Sequence, residues 1–464
     1  MAGIGFKLSR LARDGGIGGV AAAAMHGAMI SSGPWLMTAA AMIALQWGSR
    51  SMLGSEGSLY VQVILTYAFA VSALIAAPIT TLTMRAVADS LSADNRSAVP
   101  GLMVAASLAV TGSCLVAATL LFGVLANLPA IDLVLAIAIL TVLGQIWVAN
   151  LFLTALKRHW PILIAFGAGI GVAAAILIFG VVTCRLVLLA ITVGLITTCG
   201  MLRRTIGREF TAPAIWPGDW QWRLHSGGHL AAAGIAAVTA VWIDKWVAWF
   251  GPGSAPMLGW LRLNPIYDEA AFMGLLLIIP GLTLMVITVE TRFELVFGRF
   301  MKACAVDGSF RIIERARREV AATLLQDARL LLIVQATIGC AAWVLAPALF
   351  DGIGADARGI FAFRFTAIGL IFHLLATMAT VVLAYYDLFG RILIIWGGMA
   401  CVSATGALLD IESGYIHFGW SFMIGALTAA ILGILLVGSA TRQLTYLIFV
   451  KNNPAIMGDR RVWV

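Results

Sequence analysis

Twelve apolar runs, near 17–47, 60–84, 101–126, 130–155, 160–182, 186–202, 227–250, 271–289, 328–349, 360–386, 391–409 and 418–438, alternate with polar turns. Each approaches or exceeds the roughly 17–25 residues a helix needs to cross a hydrocarbon core about 30 Å thick. In hydrocarbon a peptide group finds no water, so a spanning segment is a helix or part of a closed barrel. Runs this long, without strict alternation, read as helices. The expected fold is an all-α polytopic membrane protein with about 12 transmembrane helices. Composition agrees: charged residues make up 11% of 464 and hydrophobic residues 61%, with mean hydropathy +0.98, whereas a soluble chain carries roughly 25% charged residues. The longest stretch without a spanning run, 290–327, leaves no room for a sizeable soluble domain.

Basic residues set the expected orientation. With both termini in the cytoplasm, 24 of the 30 Lys and Arg fall on the inner side and only Arg50, Arg185, Arg262 and Arg358 on the outer, leaving Lys245 and Arg364 inside spans. That asymmetry is the positive-inside rule. It accounts for most of the net charge of +8, so no nucleic-acid partner is implied. The six cysteines are scattered without metal-ligand or disulfide spacing, and no cofactor or metal is expected.

Five segments follow. Residues 1–16, with Ile4, Leu8 and Leu11 on one face and Lys7, Arg10 and Arg13 nearby, read as an amphipathic helix on the membrane surface. The run after it is too long for the roughly 7–15-residue core of a secretory leader. Residues 17–202 form an N-lobe of six spans, 203–225 a cytoplasmic linker, 226–441 a C-lobe of six spans with a cytoplasmic loop at 290–327, and 442–464 a cytoplasmic tail. Gly18-Gly19 before an alanine run opens the first span and Gly227-Gly228 before another opens the seventh; Pro78 and Pro280 are each followed by Thr and Leu. Because six is even, the two six-helix lobes would be parallel repeats about an axis along the membrane normal, a transporter architecture.

Ser31-Ser32-Gly33-Pro34-Trp35 interrupts the first apolar run. Pro34 cannot donate to the carbonyl of Ile30, so a helix there must bend or find that carbonyl another partner. Pro34, Pro78 and Pro280 are the expected helix breaks. Either a packing kink or a cavity-lining break fits this pattern, since Gly and Pro are common in membrane helices.

Intramembrane polar residues are few. Asp244 and Lys245 lie in the seventh span, pointing about 100° apart on a helix. Lys245 can snorkel outward among Trp242, Trp246 and Trp249, and Asp244 then needs a partner on another helix. Arg364, at similar depth in the tenth span, is the expected partner. His26, His373, Gln145, Asn150 and Gln335 also lie in spans, as interhelical hydrogen-bond partners or as groups of a path. Arg311, Arg315, Arg317 and Arg318, interleaved with Glu314 and Glu319, form a solvated or lipid-facing surface helix or a docking site for a cytosolic partner. No phosphate-binding loop, nucleophile elbow or zinc motif is present; a membrane-embedded transferase would have to use a residue such as His373.

Several short motifs run through the chain in one order: Gly3-Ile4-Gly5-Phe6 with Leu8, Ile30 to Trp35, Ile243-Asp244-Lys245-Trp246, Pro265-Ile266-Tyr267-Asp268 with Phe272, Ile279-Pro280-Gly281, Glu290-Thr291-Arg292-Phe293, Phe363-Arg364 with Gly369 and His373, and Tyr385-Tyr386-Asp387. Together they resemble the PelG family, the polytopic inner-membrane proteins of Pel exopolysaccharide export. Lys7, Ser9 and the region 403–418 depart from that pattern. The family is similar to the multidrug/oligosaccharidyl-lipid/polysaccharide flippases. The resemblance implies a multi-pass protein of the bacterial inner membrane, a substrate polymer rich in N-acetylgalactosamine, and a complex with a cytosolic glycosyltransferase, a cyclic-di-GMP receptor and a repeat-containing scaffold protein.

A conduit for a neutral, acetylated amino-sugar polymer should offer hydroxyls, amides and indole faces with few charges. By type and depth the path candidates are Ser31, Ser32, Gly33, Pro34, Trp35, Gln145, Asn150 and His373. An exporter of drugs or lipid-linked oligosaccharides, and a scaffold that only anchors a synthase, are the alternatives. If the Pro34 kink is functional, Pro34→Ala lowers polymer export at unchanged protein level; unaltered export in a secretion assay returns it to ordinary packing.

Overall fold

The structure is a computed structural model that describes residues 16–155, 160–213, 215–216, 227–305 and 309–451, with side chains except at 16–52, 55, 154–155, 290 and 451. Residues 1–15 of the expected N-terminal helix, 214 and 217–225 of the linker and 452–464 of the tail therefore lie outside the described residues, as do the side chains of Ser31, Ser32, Pro34 and Trp35.

Among the described residues, twelve long helices stand where the apolar runs place them. The first helical stretch, Gly16–Ser92, is two helices meeting at Gly54, named here α1 (16–53) and α2 (Glu56–Ser92). There follow α3 (Arg96–Leu125), α4 (Ala130–Ala155), α5 (Trp160–Phe179), α6 (Cys184–Glu209), α7 (Gly228–Ala248), α8 (Pro265–Ala305), α9 (Phe310–Ile353), α10 (Ile360–Tyr385), α11 (Phe389–Leu409) and α12 (Trp420–Arg442). All from α2 onward are long and apolar enough to span a membrane. The short turn between α5 and α6 is a true boundary: Thr183 leaves helical geometry and its hydroxyl accepts from Leu186 N at 3.2 Å, capping α6. A two-stranded antiparallel hairpin, β1 (Ala255–Leu258) and β2 (Leu261–Leu263), joins α7 to α8.

The expected breaks need correction. Helix runs without interruption through Pro34 and through Pro78. Proline's φ is itself helical, and its loss is a single hydrogen bond. Only Pro280 sits at an interruption, where α8 halts after Leu276 and restarts at Ile279. The Leu277 carbonyl exposed there accepts from Gln335 Nε2 of α9 at 3.0 Å. The unexpected break is at Gly54, whose φ of 72° and ψ of −179° no other residue adopts readily.

Contacts divide the chain into two compact units. One holds the chain up to Ser32, Ile243–Gly253 and everything from Pro265; the other holds Gly33–Trp242 and Ser254–Asn264. The division cuts α1 at Ser32/Gly33 and α7 at Trp242/Ile243, the matching helices of the two sequence halves. Within the second unit, α5 and α6 cross at Gly169 and Gly194: an added Cβ on Gly194 would lie 2.7 Å from the Gly169 carbonyl oxygen. Small residues permit such close backbone approach in membranes. Within the first unit, Phe350 and Phe363 meet edge to face at 5.7 Å in a buried cluster of α8, α9 and α10.

Gly54→Ala should destabilise the protein by about 1–3 kcal/mol through backbone strain alone, since nothing lies within 4 Å of the added Cβ. Gly112→Ala, in α3 with equally open space, should be neutral or stabilising by up to about 1 kcal/mol. Thermal melts of the detergent-solubilised protein rank the two; equal melting temperatures would refute the strain.

Candidate functional site

The second half of α7 carries the only Asp-Lys pair of any span, and the fold buries both residues. Asp244 is 1% exposed and Lys245 5%. Although the two Cα–Cβ bonds diverge, the long lysine stem folds back and Nζ lies 3.1 Å from each Asp244 oxygen. The Tyr267 hydroxyl of α8 donates to Asp244 Oδ2 at 2.6 Å. Lys245 thus turns inward rather than snorkelling to the interface.

Arg364 is not the partner of Asp244. Its Nε donates to the Trp343 carbonyl at 2.9 Å, and the guanidinium carbon lies 5.3 Å from the Trp343 ring centre and 5.8 Å from that of Phe361. Planar guanidinium stacks readily on aromatic rings, and a lysine one residue away reaches Asp244 without spanning two helices.

Around the pair the same unit assembles an aromatic wall. Lys245 Nζ lies 5.2 Å from the Phe422 ring centre. Phe422 of α12 faces His373 of α10 at 6.0 Å, and His373 faces Trp396 of α11 at 5.1 Å. Gly369 and His373 stand one turn apart on α10, and the glycine makes room for Phe422, whose Cδ1 would lie 2.8 Å from an added Cβ. The spacing seen in the sequence therefore has a physical cause. His373 Nδ1 is buried without a hydrogen-bond partner among the described residues. Trp249 Nε1 donates to Asp268 at 2.9 Å one turn below the pair. The centre carries the Asp244–Lys245 ion pair with the Asp268 carboxylate close by, a ring nitrogen without a hydrogen-bond partner among the described residues, and two aromatic rings tilted against His373.

The other unit holds a second polar network. Gln145 Nε2 donates to the Ser107 carbonyl at 2.9 Å and the Thr111 hydroxyl at 2.6 Å, while its oxygen accepts from Arg203 at 2.7 Å. Arg203 also donates to the Ser107 hydroxyl at 2.7 Å. Gln145 thus ties α3, α4 and α6 together with its hydrogen-bonding groups engaged by protein. Asn150 lies half-buried five residues further on in α4. Gln145 and His373 belong to different units.

On α9, Arg311, Arg315 and Arg318 are exposed and share one face by their spacing. Arg317 is committed inward: it forms two hydrogen bonds with Glu314, at 2.7 and 2.8 Å, and one with the Thr441 carbonyl at 3.2 Å. The expected loop 290–327 is largely a helical hairpin, tied by Arg292 to the buried Asp327 at 3.2 Å and by Arg299 to Glu319 at 3.0 Å. Sequence reading gave Tyr267, Trp396 and Phe422 no role; only Tyr267 stood within a quoted motif.

Residues 1–449 match the sequence profile of the exopolysaccharide exporter (EPS-E) family PelG. No curated protein sequence matches the chain. Solved structures show the fold. An inward-facing multidrug resistance MATE family transporter of the MOP superfamily aligns with TM-score 0.63 at 15% identity, over 90% of this chain and 99% of that one. The outward-facing form aligns with TM-score 0.59 at 15% identity, over 90% and 96%. A MOP superfamily transporter from Pyrococcus furiosus, described as having a binding pocket of reversed polarity, aligns with TM-score 0.62 at 15% identity, over 95% and 97%.

Lys245→Met should strand the Asp244 carboxylate and cost about 3–5 kcal/mol, and adding Asp244→Asn should recover much of it. Arg364→Ala should cost only about 1–2 kcal/mol, one hydrogen bond and its stacking. The check is thermal denaturation in detergent; a Lys245→Met protein as stable as Arg364→Ala would disprove the pairing.

Proposed function

The chain belongs to the PelG family of exopolysaccharide exporters, and from that premise we propose that it moves a growing Pel-type polymer, rich in N-acetylgalactosamine, from cytoplasm to periplasm across the bacterial inner membrane. The observation that carries this reading is the family match over residues 1–449, joined to a MOP-type transporter fold. Family and fold are those of transporters, and no step of bond chemistry is assigned to His373.

The chemistry of the intramembrane centre supports a neutral cargo. Asp244 and Lys245 cancel each other, and the Asp268 carboxylate nearby is hydrogen-bonded by Trp249. The groups left over are aromatic faces and the ring nitrogen of His373. A neutral acetylated sugar has apolar ring faces and hydroxyl or acetamido groups, which such walls accommodate without a charge to desolvate. Of the path candidates, His373 keeps this role. Ser31, Ser32, Gly33, Pro34 and Trp35, on the helix that crosses between units, keep it on sequence grounds, with Asn150. Gln145 acts first as a tie between helices.

The exposed arginines Arg311, Arg315 and Arg318 are the proposed contact for the cytosolic glycosyltransferase, with the cyclic-di-GMP receptor and the repeat-containing scaffold completing the complex. Arg317 braces that helix from inside. Both termini lie in the cytoplasm in this reading, and membrane lipids surround α2 to α12. The multidrug resistance transporters among its structural neighbours favour one rival, an exporter of small molecules or lipid-linked oligosaccharides that works without a synthase.

Vesicles holding this chain and the glycosyltransferase should accumulate polymer in a lumen protected from added glycosidase, and vesicles lacking either should not. Polymer that stays outside, or transport of a small cation by the chain alone, would sink the reading.

A further inference from the structure

A cavity of about 560 Å³ lies within the unit built from 33–242 and 254–264. Its walls come from the start of α2, the turn between α3 and α4, the start of α6 and strand β1. Tyr60, Asn127, Pro129, Asp132, Arg185 and Leu258 line it. By the distribution of basic residues, this end of the unit is the outer one.

Asp132 organises the site. It is 5% exposed, and a carboxylate so buried is stable only when paired and hydrogen-bonded. The Tyr60 hydroxyl donates to one oxygen at 2.8 Å, and Arg185 Nε to the other at 3.0 Å. This grip fixes the guanidinium while its side chain remains 57% exposed, and the terminal nitrogens have no protein partner among the described residues. Asn127, exposed beside them, is held at φ 50° in the left-handed region, which places its carboxamide at the cavity wall.

Leu258 is brought in by the hairpin. Trp260 N donates to the Leu125 carbonyl at 3.1 Å. Gly259, at φ 55°, packs so closely that a Cβ would strike that carbonyl. Tyr67 of α2 ties the other strand down through the Arg262 carbonyl at 2.9 Å. The site is thus an open cleft with a guanidinium and a carboxamide beside an apolar face of Pro129, Leu258 and the Tyr60 ring.

Its one negative and one positive charge sum to zero, so a ligand need bring no net charge of its own. Directional donors beside an apolar face fit a sugar ring, apolar on its faces and polar at its edge. We propose that this cavity is a saccharide-binding site for a neutral, N-acetylated hexosamine segment, holding the polymer on the outer side as it leaves the unit. The proposal rests on the exopolysaccharide reading above.

The test is calorimetric titration of the full chain in nanodiscs with a neutral N-acetylated hexosamine tetrasaccharide, its deacetylated cationic form and an anionic tetrauronate. The neutral sugar should bind at least about tenfold more tightly than either charged one. Arg185→Ala should weaken it by about tenfold or more. Asn127→Gly, which tolerates the positive φ, should weaken it several-fold with an unchanged melting temperature, so a loss there is not misfolding. No binding of the neutral sugar, preference for a charged one, or wild-type affinity in both variants would overturn the site. The two readings separate in the vesicle assay: export without binding refutes this site alone, whereas a wild-type chain that binds the sugar but never exports polymer refutes the function.

Discussion

In hydrocarbon no water reaches a peptide group, so every carbonyl released by a proline or a bend must be met by another protein group. This requirement runs through the whole architecture. Beside the interruption at Pro280 in α8, Gln335 of the neighbouring helix donates to the Leu277 carbonyl. Hydroxyls on the spans turn back to their own helices, as Thr80 does to the Ala76 carbonyl at 2.8 Å and Thr283 to the Ile279 carbonyl at 2.9 Å. The connection from α7 to α8 closes part of its backbone as a hairpin.

The same scarcity of solvent governs charge. An isolated ion in a span is costly, so the charges there occur with partners chosen by reach. Asp244 takes its nearest cation and a tyrosine, Asp132 takes a tyrosine and an arginine, and Asp327 takes Arg292. In the first two, the carboxylate is matched by one cation and one tyrosine hydroxyl.

How far the site was legible depends on the range of each interaction. Asp244 and His373 stood out in the sequence because ionisable groups inside long apolar runs are rare and demand an explanation. Their neighbours did not: Phe422 and Trp396 are ordinary apolar residues of α12 and α11, meaningful only once packing brings them against His373. The expected Asp244–Arg364 pair failed because helical direction was weighed without the length of the lysine stem, which lets adjacent residues meet. Asp132 has no role in the sequence reading. Its partners are 72 residues before it and 53 after it, a separation no local pattern reports.

The chain by itself determined the class, the number and position of the helices, the sidedness expected from its basic residues, and the family, because length, hydropathy and charge act locally and survive without a fold. Tertiary structure decided which breaks are real, since a helix passes through Pro34 and Pro78 but not through Gly54. It also decided which charges pair and where a pocket opens. Those outcomes depend on groups that only packing brings within a few ångströms, where hydrogen bonds and ion pairs are made or lost.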